Sequence, residues 1–304
     1  MMKPSALQKG DQVAIIAPAG LPDREHLNQG KRVLEKMGLE VVIGRHVFEF
    51  GTDLIAIEQK RLADLHDAFS DPYIQGIFCA NGGFGSAKMT PMINYEKIQR
   101  NPKIFWGYSD ITFLLNAIQN FSNLVTFHGP MVATDLNDEE RTAETEASFL
   151  PLFTGESQIY DSQKSPLHII ADGIGEGRLV GGNLTLLTNG LGTPYQVNAN
   201  GGILLIEEVA EPAFRVDLML THLKQAGVFD EVNGVVLGCF QADSDENKEL
   251  KKVLQDFFFN APFPVVENFY YGHCQPHYGV PLGVNVKLTT SPPRLEIDSG
   301  VTKL

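Results

Sequence analysis

Apolar and polar positions follow two rhythms along the first half of the chain. Short apolar runs at Val13 to Ala17, Val41 to Ile43, Gly76 to Cys79 and Ile104 to Trp106 have the length of buried strands. Between them lie stretches of helical spacing, from about Asn28 to Met37 and from Glu58 to Phe69. Strands separated by helices of this length predict a parallel, doubly wound α/β sheet, whose ligands bind beyond the carboxyl ends of the strands. After His128, Gly129 and Pro130 the chain turns acidic from Asp135 to Glu146, which reads as a solvated helix, and then polar from Asp161 to Pro166. The second half has a different rhythm. It contains a glycine-rich stretch from Gly177 to Asn183, strands at Gly202 to Ile206 and Val235 to Leu237, and helices near Arg215 to Ala226 and Asn247 to Phe259. A terminal hairpin closes it. We therefore expect a flavodoxin/Rossmann-like domain over residues 1–160 and a mixed α/β domain over 167–304.

One segment carries chemistry in its pattern. Ile104, Phe105 and Trp106 run through Gly107 into Tyr108, Ser109 and Asp110, after which Ile111, Leu114, Leu115 and Ile118 recur at helical spacing. A strand passing through a sharp turn into a helix pushes the serine hydroxyl out of the turn, beside the unpaired first N–H groups of the helix. This is the layout of a nucleophile elbow, without the second glycine of the G-x-S-x-G form. The common alternative is that Ser109 or Asp110 simply caps the helix. Two further groups supply what a nucleophile needs. Glu207 and Glu208 close a buried strand, where a carboxylate requires a partner, and His273 follows Gly272 in a loop. Singly, each reads equally well as a salt-bridged strand end and a hydrogen-bonded loop residue; together with Ser109 they fill the three roles of a triad. The loop Asn81 to Gly85 lacks the Lys-Ser/Thr ending of a phosphate-binding loop.

Composition narrows the partners. The 304 residues are 43% hydrophobic and 20% charged, and 24 basic against 37 acidic side chains give a net charge of −13. With no basic run, neither nucleic acid nor an anionic membrane is an expected partner, and no apolar run approaches a membrane span. The N-terminal apolar stretch reads as a first strand and not a signal peptide, so a cytoplasmic location is expected. Cys79, Cys239 and Cys274 are too few and too scattered for a disulfide framework. Two of them lie in strand-like runs and read as reduced buried thiols. His273, Cys274 and His277 suggest zinc, but no second group stands at ligand spacing, so neither a metal nor a cofactor is expected.

The chain resembles the LD-carboxypeptidases, serine peptidases with a Ser-Glu-His triad that include the microcin C self-immunity hydrolases. The resemblance rests on Gly10 to Pro18, Arg61 to Leu65 with Ala68 and Phe69, Gly82 to Ser86, Gly107 to Asp110, Phe127 to Pro130, Gly181 to Asn183, Gly192 to Pro194, Gly272 with His273, and Pro281 to Gly283. It implies Ser109 as nucleophile, His273 as general base and then acid, and Glu207 as the acid that holds the imidazole. With the turn geometry, it implies an oxyanion hole from the Asp110 N–H and an N–H of Gly82 or Gly83. The implied activity is hydrolysis of the amide before the terminal D-alanine of cytoplasmic murein tetrapeptide in peptidoglycan recycling, by a homodimer. The family's aminoacyl-nucleotide hydrolases are the alternative; they are typically longer, with a loop tryptophan that stacks on the base, whereas the single tryptophan here, Trp106, precedes the elbow. A binding protein without chemistry is the third reading. Two positions depart from the family pattern: Asn81 and Leu218 stand where many members carry arginine.

Overall fold

The computed structural model describes residues 1–49, 51, 54–241 and 247–303. Its first five strands are β1 (Gln12–Ile16), β2 (Glu40–Ile43), β3 (Ile74–Cys79), β4 (Ile104–Gly107) and β5 (Thr126–His128). They pair in parallel in the order β5-β4-β3-β1-β2, the doubly wound arrangement expected from the alternating pattern. The helix Arg24–Lys36 begins four residues before its apolar spacing does, because Asp23 caps it by accepting the His26 N–H. Leu27, Gly30, Val33 and Leu34 form its buried face.

The remaining strands are β6 (Gln158–Asp161), β7 (His168–Ala171), β8 (Ile174–Asn183), β9 (Ile203–Val209), β10 (Gly234–Gln241), β11 (Val265–Glu267), β12 (Val280–Leu282), β13 (Asn285–Thr290) and β14 (Pro293–Ile297). Eight of the described strands form a mixed sheet in the order β6-β14-β13-β8-β9-β10-β11-β7. Its centre, β8 to β11, is parallel, and its flanks are antiparallel. The residues Ile203 to Ile206 of β9 are buried on both faces, as their unbroken apolar run requires. The chain does not keep to one sheet at a time: β12, from the second half, pairs antiparallel with β5 at the edge of the first sheet. Ser5 bridges Thr302, so the two ends of the chain also meet.

Two readings of the sequence are corrected. The stretch from Asp135 to Glu146 is not a solvated helix: it runs mostly as turns, with a short helix at Ala143–Ala147, and Asp135, Leu136 and Asn137 are buried. The acidic composition concealed a segment folded back across the carboxyl ends of the strands, where Asp135 accepts the Met131 N–H at 2.7 Å. Cys239 is not a free thiol. It is bonded to Cys274, which ties β10 to the loop after β11, while Cys79 stays buried and unpaired. Pairing requires the two Cα atoms to come close, 6.1 Å apart here, and a sequence separation of 35 positions hid that proximity.

Candidate active site

Ser109 occupies the turn between β4 and the helix Thr112–Ser122, with a single 3₁₀ turn, Ser109–Ile111, joining them. Its backbone has φ 61°, a left-handed conformation that is costly for any residue with a Cβ and is found where a side chain must be held out of a turn. The capping alternative does not hold, since neither Ser109 nor Asp110 bonds to an N–H of its own helix. Asp110 instead accepts the Ser86 N–H at 2.9 Å. Gly82, just past β3, lies so close that a Cβ there would stand 3.0 Å from both Cβ and Oγ of Ser109. Only glycine lets the loop backbone approach the hydroxyl this closely.

Of the other two residues, Glu207 comes from the second sheet and His273 from the loop between β11 and β12. Ile203 to Ile206 anchor β9 in the core and deliver Glu207, fully buried, in register with Asn183 of β8. Its Oε2 accepts the His273 Nδ1–H at 2.6 Å and the His273 backbone N–H at 3.3 Å. Gly272, at φ 88°, packs directly on that carboxylate, where a Cβ would overlap it. Because an ionised carboxylate only accepts, Nδ1 carries the proton and Nε2 presents its lone pair to Ser109 Oγ, 3.2 Å away. Successive strand residues point to opposite faces, and Glu208 accordingly turns away to accept from Asn183 Nδ2, the Thr185 N–H and the Val209 N–H.

The surroundings set the proton affinities. Burial of His273 alone would lower its pKa; the charge and hydrogen bond of Glu207 outweigh that, with Asp135 and Glu208 adding to them, and the net shift is upward. The ring of Tyr108, fully buried, stands 4.8 Å from that of His273, and its hydroxyl donates to Asp135 at 3.3 Å. Burial pushes Asp135 up to about 7 against the lowering effect of the Met131 N–H and the Tyr108 hydroxyl. His277 packs edge-on to Tyr108 at 4.6 Å, and burial depresses its pKa to about 3. His273, Cys274 and His277 therefore do not converge: one faces Ser109, one is in a disulfide and one is packed against an aromatic ring.

A cleft of about 610 Å³ opens beside His273, lined among others by Asn81, Tyr108, Asp135, His273 and Gln275. It lies beyond the carboxyl ends of β1 and β3, where strand order reverses and such sheets bind ligands. Sequence reading missed Asp135 and Tyr108 as parts of the site. Their only signal was position, since Tyr108 is in the elbow and Asp135 follows the Phe127 to Pro130 segment. Of the two departures from the family pattern, Asn81 lines the cleft and donates to the Leu21 carbonyl, while Leu218 is exposed on the helix Ala213–Gln225.

Comparison with known proteins places the chain in a family. Residues 13–129 match the LD-carboxypeptidase N-terminal domain and residues 176–288 the LD-carboxypeptidase C-terminal domain. A probable murein peptide carboxypeptidase of Bacillus subtilis is 39% identical, over 99% of this chain and 96% of that one. Among solved structures, an MccF-like protein from Bacillus anthracis superposes with a TM-score of 0.88 at 26% identity, covering 98% of this chain and all (100%) of that one. A muramoyltetrapeptide carboxypeptidase from Oxalobacter formigenes gives 0.83 at 26% identity, over 96% and 100%. The chain belongs to the LD-carboxypeptidase family.

Proposed function

We propose that this peptidase is a serine-type LD-carboxypeptidase that removes the terminal D-alanine of murein tetrapeptide through an acyl-enzyme. The observation that carries the reading is the continuous path from Glu207 through His273 to Ser109, 2.6 and 3.2 Å long, with His273 on the wall of a cleft. Ser109 Oγ attacks the carbonyl of the penultimate residue as His273 Nε2 takes its proton, and Glu207 stabilises the resulting imidazolium. The oxyanion is received by the Asp110 N–H and an N–H of Gly82 or Gly83. Among the described residues, neither glycine N–H has an intramolecular acceptor. His273 then protonates the departing amine, D-alanine leaves, and a water activated by the same imidazole releases the tripeptide.

Curated relatives and a solved neighbour named for murein peptides support this substrate class. The single tryptophan does not serve the nucleotide alternative: Trp106 is 1% exposed, stacks on Phe127 and Phe149, and donates to the Pro130 carbonyl. No helix among the described residues is long and apolar enough to cross a membrane. The reading carries with it a cytoplasmic site of action in peptidoglycan recycling and a homodimeric state, which cell fractionation and light scattering test. The deciding assay incubates the protein with tetrapeptide and follows the loss of one alanine by mass spectrometry, beside the C-terminal amide, the L-alanine epimer and an aminoacyl sulfamoyl adenylate. The tetrapeptide is expected to turn over far faster than the rest; preference for the adenylate refutes the carboxypeptidase assignment. Ser109→Ala should bind peptide and lose on the order of 10⁴ to 10⁶ in turnover.

A further inference from the structure

The oxyanion hole proposed above draws its two donors from different parts of the chain, the glycine loop after β3 and the elbow after β4. Two direct bonds and three contacts from a neighbouring helix hold these parts in register. The Ser86 N–H donates to Asp110 Oδ2 at 2.9 Å, and the Ser86 hydroxyl donates back to the Asp110 carbonyl at 2.5 Å, so the two residues are bonded reciprocally. Behind them the helix Leu54–Ser70 contributes Arg61, whose guanidinium donates to the Phe84 carbonyl at 3.5 Å and attracts the Asp110 carboxylate. From the same helix, Glu58 pairs with Lys88 at 3.1 Å. Ser86 is fully buried and Asp110 is 6% exposed, so water does not compete for the reciprocal bonds.

We infer that Ser86, the Asp110 side chain and Arg61 are positioning residues that set the spacing between the two oxyanion donors. Ser86 lies three residues beyond Gly83, and its partner Asp110 is the residue that offers the other N–H. None of the three side chains bonds to His273, Glu207 or Ser109. Their loss therefore moves the oxyanion donors and leaves the base untouched. Displacement of a preorganised donor weakens binding of the tetrahedral anion more than binding of the substrate carbonyl.

The inference rests on the serine mechanism proposed above, and the test separates the two. Ser86→Ala, Arg61→Gln, Asp110→Ala and Asp110→Asn are compared with wild type and Ser109→Ala on the tetrapeptide. The measurements are kcat, KM, the pH dependence of kcat/KM, and affinity for a peptide aldehyde that forms a hemiacetal anion on the serine. Ser86→Ala is expected to lower kcat about 10- to 100-fold and to weaken the aldehyde by a similar factor. KM should stay within about twofold and the pH midpoint should not move, since the imidazole and its partner are intact. Asp110→Asn keeps an acceptor for the Ser86 N–H and should lose less than Asp110→Ala. If Ser86→Ala does not fold, Arg61→Gln, on the half-exposed outer side, carries the same expectation with a smaller loss. Wild-type kcat and aldehyde affinity in the folded variants overturn the clamp, as does a loss accompanied by a shifted pH midpoint. Full turnover by Ser109→Ala refutes the serine mechanism, and the clamp with it; an inactive Ser109→Ala beside a fully active Ser86→Ala refutes the clamp alone.

Discussion

Replacing Glu207 by glutamine removes one charge and nearly nothing else. The carboxylate is completely buried and accepts two N–H groups of His273, at 2.6 and 3.3 Å. In the ground state the imidazole is neutral and a glutamine oxygen can still accept from Nδ1. In the transition state the ring becomes a cation, and without Glu207 that cation is buried with no compensating charge. Breaking a buried pair in this way costs about 3–5 kcal/mol, which corresponds to a rate loss of about 10² to 10⁴. The pH profile supplies a second readout. Glu207 is the largest influence raising the His273 pKa against burial, so without it the remaining effect of burial pulls the midpoint of kcat/KM down in pH. Glu208→Gln is the internal control: its carboxylate is held by Asn183, Thr185 and Val209, so its loss should appear as about 1–3 kcal/mol of stability with kcat changed only mildly. Steady-state kinetics from pH 5 to 9 and thermal melts of both variants provide the test. Turnover of Glu207→Gln within tenfold of wild type, with an unmoved midpoint, refutes the proposed role of Glu207; the reverse ranking of the two variants transfers that role to Glu208.

In the wild-type protein kcat/KM should rise with pH through a midpoint above the ordinary histidine value of about 6.5, because the base works unprotonated and its folded-state pKa is raised. Asp135→Asn should lower that midpoint modestly, since the Asp135 carboxyl group, itself raised to about 7, favours the proton on His273 only to the extent that it is ionised; a midpoint that rises contradicts the electrostatic argument. Gly82→Ala places a methyl 3.0 Å from Ser109 Oγ and should cut kcat on the order of 10- to 100-fold in a folded protein, which circular dichroism and kinetics check together; unchanged kcat shows that the loop is not held against the nucleophile.

Much of this architecture is local and therefore readable. The run from Ile104 to Ile118 encodes a strand, a turn and a helix in consecutive residues, and the structure places Ser109 at its tip, in a left-handed backbone conformation that the sequence did not indicate. The alternation of short apolar runs with helical stretches determined the parallel sheet, because each βαβ unit is specified by periodicity within about thirty residues. The family resemblance named Ser109, Glu207 and His273, and alternation along β9 established that only one of Glu207 and Glu208 can reach the histidine. Which one it is depended on the pairing of β9 with β8 and on Gly272 packing against the carboxylate. Other features were decided only in three dimensions. The 2.6 and 3.2 Å contacts join residues 66 and 164 positions apart. The Cys239–Cys274 bond, the insertion of β12 beside β5 and the burial of Asp135 in a stretch that composition marked as solvated are equally non-local. Periodicity reports which face of an element is buried, whereas the packing of one element on another depends on the fit of whole surfaces, and that fit is formed only when the chain closes its core.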